Sequence, residues 1–254
     1  MKIKLLSRTL VILFGVTGCA ASALAGNMVE VNGLHTKFIY DADFWGTNNV
    51  TVQGDTISFA TGHIYSAVAD VAVGQEPDYT VETWTTNGVF RGVLAVAKDS
   101  YKLDAAVGNI IHGQYSVDSG GQVMAYSNGY VVGGDWSNGV FSEQSALGSY
   151  HSQFAIGSAG GMASSGGWDS NSVSSGPAQR YDALALSLGL TGWVQQSGPG
   201  QSSASIQQVS FSFSSVAADT PVSSVPEPST YGMMAGGLAL LGLVSRRRRR
   251  TLAM

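Results

Sequence analysis

The chain has a single cysteine among 254 residues, Cys19. No intrachain disulfide can form, so stability has to come from an ordinary packed core, for which about 200 residues suffice. Basic side chains are scarce as well. Of thirteen lysines and arginines, three (Lys2, Lys4, Arg8) open the chain and five (Arg246 to Arg250) stand near its end. Between Gly26 and Val225 only Lys37, Arg91, Lys98, Lys102 and Arg180 remain, against sixteen acidic residues, a net of −11. A body this acidic repels nucleic acid and anionic membranes, so no nucleic-acid partner is expected. The common catalytic signatures are missing too: there is no G-x-S-x-G, no H-E-x-x-H and no Walker loop. Neither a cofactor nor a metal is implied.

What is present begins with an export pattern. Lys2, Lys4 and Arg8 form a basic region, "TLVILFGV" (Thr9 to Val16) an apolar one, and Ala23 and Ala25 offer small residues for cleavage before Gly26. Residues 1–25 are therefore expected to be a signal peptide, removed by signal peptidase. A rival cleavage stays open, because "VTGC" (Val16 to Cys19) resembles a lipobox whose cysteine would be lipidated.

The tail is the most informative segment. "VPEP" (Val225, Pro226, Glu227, Pro228) precedes an apolar run from Tyr231 to Val244, and then come Arg246, Arg247, Arg248, Arg249 and Arg250. The two prolines favour an extended backbone around Glu227, the form a processing enzyme's cleft accepts. As a helix, fourteen apolar residues reach roughly 21 Å, short of a hydrocarbon core of about 30 Å. The arginines resist translocation and hold their end in the cytoplasm, leaving the acidic body on the far side. Gly232 and Gly236 make a GxxxG pair, although glycine is common in membrane segments.

A proline–glutamate–proline triplet, a short apolar run and a basic block, in that order, closely resemble the PEP-CTERM sorting signal of Gram-negative bacteria. The resemblance covers about the last thirty residues. It implies exosortase as a processing partner and transient anchoring in the inner membrane. It further implies removal of the tail and a destination at the cell surface or in an extracellular matrix containing exopolysaccharide.

The body, 26–216, reads as short strands and turns, with 217–224 as linker and 225–250 as the sorting signal. "VTVQGDTISF", "YTVETW", "GVLAVA", "GQVMAY" and "VSFSFSSV" alternate as half-buried strands do. "ALALSLGL" (Ala183 to Leu190) fits a buried strand or a short helix, with strand preferred. Asn-Gly pairs at Asn32, Asn87, Asn128 and Asn138 signal type I′ hairpins. "WTTNGVF" and "WSNGVF" look like related hairpins without establishing a repeat. Ten or so strands argue for an all-β fold, one antiparallel β-sandwich of jelly-roll type. Thirteen of the twenty residues from Gly157 to Gly176 are glycine or serine, which predicts a mobile surface loop. "QQSGPGQSSAS" (Gln195 to Ser205) predicts a second soft stretch.

Candidates for chemistry are thin. His35, His63, His112 and His151 are scattered singly. Asp41 with Asp43, or Glu76 with Asp78, could supply a carboxylate pair for glycoside hydrolysis, and Asp41, Asp43 and Asn48 oxygens for calcium; surface acids show both patterns routinely. Tryptophan is the better lead. Trp45, Trp136 and Trp168 have turn-like neighbours and could offer flat faces to sugar rings, Trp168 being the least core-like. The alternative is that all three cap the core, the commoner fate. Two functions follow: a non-catalytic surface or matrix protein, or a carbohydrate-binding module and, less favoured, a polysaccharide hydrolase.

Overall fold

Alternation of side chains in and out of a sheet is the rule the body follows almost throughout. The computed structural model describes residues 27–86, 92–158 and 161–218. The side chains of 62–64, His63 among them, lie outside that description, as do the signal segment, the Asn87–Gly88 pair and the sorting tail. Among the described residues, thirteen strands and one helical turn follow in the order β1 (Met28–Asn32), β2 (Thr36–Asp41), α1 (Ala42–Trp45), β3 (Val50–Gln53), β4 (Thr56–Val71), β5 (Asp78–Thr85), β6 (Val93–Ala97), β7 (Tyr101–Val117), β8 (Gly121–Ser137), β9 (Val140–Gly157), β10 (Ser164–Tyr181), β11 (Ala183–Leu186), β12 (Gly189–Gln196) and β13 (Gly200–Ala217).

They form two antiparallel sheets, a β-sandwich. The five-stranded sheet runs β10-β7-β13-β4-β3. The eight-stranded sheet is built on β8, which pairs with β9 along one edge. Its other edge takes β12 against residues 121–128 and β11 against 131–134. Beyond β11 come β6, β2 and β1, and beyond β12 comes β5.

Six strands are far longer than the short elements expected, running to 16–18 residues. At ~3.3 Å per residue these span ~55 Å. The turns expected to divide them are absent. Asn128–Gly129 lies inside β8, where a Cβ on Gly129 would meet the Ser187 carbonyl at 2.0 Å. Only Asn138–Gly139 makes the expected tight hairpin among the described residues, with φ of 53° and 77° joining β8 to β9.

The largest correction concerns 157–176. Apart from 158–163 that stretch is strand, with β10 in register with β7 from Ser164↔Val117 to Ser175↔Ala106. Glycine and serine lack bulk to build a core, but their backbones pair as well as any others. The hydroxyls also tie β10 to β9: Ser170 Oγ donates to the Gln153 carbonyl at 2.8 Å, and the Ser152 and Ser172 hydroxyls meet at 2.8 Å. The soft stretch at 195–205 shrinks similarly to a turn at 197–199 between β12 and β13.

The core lies between the sheets. Phe38, Tyr40, Ile57, Phe59, Leu103, Val107, Ile111, Leu184, Leu186 and Phe211 are all buried there. Ile39, Leu94, Val96, Val132, Ala183 and Ala185 form a second cluster with Met28, Trp136 and Phe141 packed on it. Alternation puts that cluster on the opposite side of β2, β6 and β11 from the main core. Strands buried on both faces read as unbroken apolar runs, which explains "ALAL" and settles it as strand.

Candidate functional site

The three tryptophans singled out in the sequence have three different fates. Trp45 closes the single turn of α1, begun by Asp41, whose side chain accepts the Asp43 amide at 3.0 Å. It is 4% exposed, its ring stacked on Phe59 at 3.9 Å and its Nε1 donating to the Gly92 carbonyl at 2.9 Å. Trp168, expected to be the least core-like, is 5% exposed and stacked on Phe154 at 4.9 Å with 7° between planes. It occupies the space a side chain at Gly113 would need. Both are core, and the sugar-contact expectation for them is corrected. Alternation put Trp168 on the inward face of a strand that composition had disguised as a loop.

Trp136 remains accessible in part. Lys37 Nζ stands 5.7 Å from its ring centre, and beside it opens a cavity of about 330 Å³ lined by Lys98, Tyr101, Lys102 and Asp182. Lys102 pairs with Asp182, and Lys98 Nζ donates to the Gly33 carbonyl at 2.6 Å. The cations there are already satisfied.

A serine, a histidine and an aspartate do converge elsewhere, without making a nucleophile. Ser215 Oγ donates to Asp55 Oδ2 at 2.6 Å, and His35 Nδ1 lies 3.0 Å from Asp55 and 3.1 Å from Ser215. A hydrolytic triad needs serine and acid on opposite ring nitrogens. Here both sit on Nδ1, and the ring stacks on Tyr101 at 4.3 Å. Burial pushes the Asp55 carboxyl upward, but hydrogen bonds from Ser215 and from the His35 amide and ring outweigh it and leave the net shift downward. Tyr65, buried with its hydroxyl donating to the Phe44 carbonyl at 3.0 Å, is pushed up to about 12 and stays a donor. Of the candidate carboxylates, Asp41 caps α1, while Asp78, exposed, accepts the Asp70 amide at 3.4 Å. Among the described residues no three His, Cys, Asp or Glu side chains group as metal ligands.

A fourth tryptophan was passed over in the sequence. Trp193 lies on β12 between Val81 of β5 and Met124 of β8, on the solvent face of the larger sheet. The signal was in "TGWVQQ": Gly192, Val194 and Gln196 are buried, while Trp193 and Gln195 alternate outward.

An all-β body leading into a proline–glutamate–proline triplet, an apolar run and an arginine block defines an exported protein processed at a membrane. The family model of the PEP-CTERM protein-sorting motif matches residues 224–250. The chain thus carries a PEP-CTERM sorting motif, which implies exosortase as its processing partner. No curated protein matches it. Among solved structures, one reported under the promiscuous specificity of carbohydrate-binding modules of the β-sandwich superfamily is 11% identical over 71% of this chain and 72% of that one, with a TM-score of 0.21. Another, from the infectious bursal disease virus Gx strain, is 11% identical over 68% and 48%, with a TM-score of 0.12. The sorting residues Val225 to Pro228 and Arg246 to Arg250, like the signal residues Ala23, Ala25 and Gly26, lie outside the described residues. Among those described, no helix is long and apolar enough to cross a membrane.

Proposed function

We propose that this protein is a non-catalytic component of the cell surface or extracellular matrix, held there with exopolysaccharide after exosortase has processed its tail. The motif at 224–250 carries the reading. Until processing, the tail holds the chain in the inner membrane with the body in the periplasm. The last described residue, Ala218, is seven residues before Val225. At ~3.5 Å per extended residue the body therefore hangs within about 25 Å of the processing peptide. Where it comes within the ~8 Å screening length of anionic headgroups the acidic body is repelled by them, which favours release once the tail is cut.

The test is intact-mass and terminal-peptide analysis of the protein from envelope, matrix and medium, in cells with and without exosortase. The expected product starts at Gly26, ends near Pro228 and is found in the matrix or medium only when exosortase is present. A chain that keeps Arg250 in the membrane in both strains would refute the processing. A start at lipidated Cys19 would replace the signal-peptidase site with the lipoprotein one.

A further inference from the structure

The solvent face of β5, β12, β8 and β9 has a composition unlike the rest of the body. Register places four rows on it: Tyr79–Gln195–Gln122–Gly157, Val81–Trp193–Met124–Ala155, Thr83–Thr191–Tyr126–Gln153 and Thr85–Gly189–Asn128–His151. The intervening rows point inward, as buried Val194, Val123, Ala125 and Leu190 show. Not one of the sixteen is an acid, a lysine or an arginine, although the body carries sixteen acidic residues. The face measures about 15 Å across four strands and about 20 Å along them.

Its rings are ordered. Tyr79 on β5, Trp193 on β12, Tyr126 on β8 and His151 on β9 each lie one strand over and two residues along from the one before. A step of ~4.8 Å across and ~6.6 Å along is a backbone diagonal of about 8 Å, so the four form one continuous diagonal row. Tyr79 is 70% exposed, and the Tyr126 and His151 rings lie 5.4 Å apart. Amides and hydroxyls flank the track. Gln153 bridges His151 Nε2, at 3.0 Å from its Oε1, and Met124 Sδ, to which its Nε2 donates at 3.3 Å. Thr83 and Thr85 are exposed, and the Thr83 hydroxyl meets that of buried Thr191 at 3.3 Å.

From this we infer a binding track for an uncharged, linear polysaccharide. Flat rings in line present apolar faces to the C–H faces of successive sugars, while glutamine, asparagine and threonine supply both donors and acceptors to hydroxyls. An acidic polymer gains no ion pair on this face and is repelled by the body around it. A second copy of the chain is the poorer occupant, because seven of the sixteen residues are glutamine, asparagine or threonine rather than apolar. The inference rests on the matrix reading above and names the polymer class that reading leaves open.

Affinity electrophoresis of the full chain in detergent, through gels containing hydroxyethyl cellulose, galactomannan, dextran or alginate, tests it. At least one of the three uncharged polymers should retard the protein, and alginate should not. Retardation should weaken at least tenfold in Trp193→Ala and in Tyr79→Ala. The second variant keeps the test sound if the first unfolds. Trp136→Ala, on the other half of the molecule, should migrate as wild type. No retardation by any uncharged polymer, retardation by alginate, or loss in Trp136→Ala alone would overturn it. So would a dimer by light scattering that Trp193→Ala splits. Correct processing and matrix recovery without glycan retardation would sink the track and leave the sorting reading standing.

Discussion

Trp168 and Trp193 show how little a residue's neighbours in sequence say about its neighbours in space. Trp168 sits among glycines and serines and is buried against Phe154 and Gly113. Trp193 follows four buried residues, 189–192, and turns half-buried onto the solvent face. Replacing Trp168 by alanine leaves a cavity between β7, β9 and β10 and should cost about 3–5 kcal/mol, read as a fall in the urea midpoint. A loss under about 1 kcal/mol would mean the ring is not core. The same change at Tyr79, which is mostly exposed, should cost no more than about 0.5 kcal/mol by the same measurement.

Among elements, the β8–β9 hairpin is the part of the fold most directly written in sequence. Asn138 and Gly139 both hold positive φ, the geometry a two-residue turn between twisted strands requires. Gly139→Val forces a β-branched side chain into that region and should cost roughly 1–2 kcal/mol. Thermolysin digestion should then cut first near residues 137–141, where Val140 and Phe141 supply apolar residues for cleavage. Stability unchanged from wild type would show that the turn tolerates another type. β10 is the opposite case. Its strand character comes from β7 on one side and serine hydroxyls reaching β9 on the other, so nothing local in "SSGGWDSNSVSSG" announces it.

For the whole molecule, charge is the dominant property. With sixteen acidic residues against five basic ones, the body repels itself. The described cations are mostly committed, Lys37 to Glu30, Lys102 to Asp182 and Arg180 to Asp104. Raising the salt from about 0.01 M to about 0.15 M shortens the screening length from ~30 Å to ~8 Å, so the melting temperature should rise over that range. A fall would mean that the ion pairs outweigh the repulsion. The same charge leaves the four-strand face as the uncharged exception on which a neutral polymer can settle.

The sequence alone determined the sorting tail, since proline, an apolar run and arginine act through intrinsic backbone and membrane preferences that need no tertiary partner. It determined the all-β class as well, because alternation is a local pattern. Only the tertiary structure decided that a serine–glycine stretch is an 18-residue strand and that Trp45 and Trp168 are core. It alone set Tyr79, Trp193, Tyr126 and His151 in one line. Those four lie on four different strands, and their alignment depends on register. Register is set by pairing between residues as far apart as 79 and 195, a relation that no local pattern records.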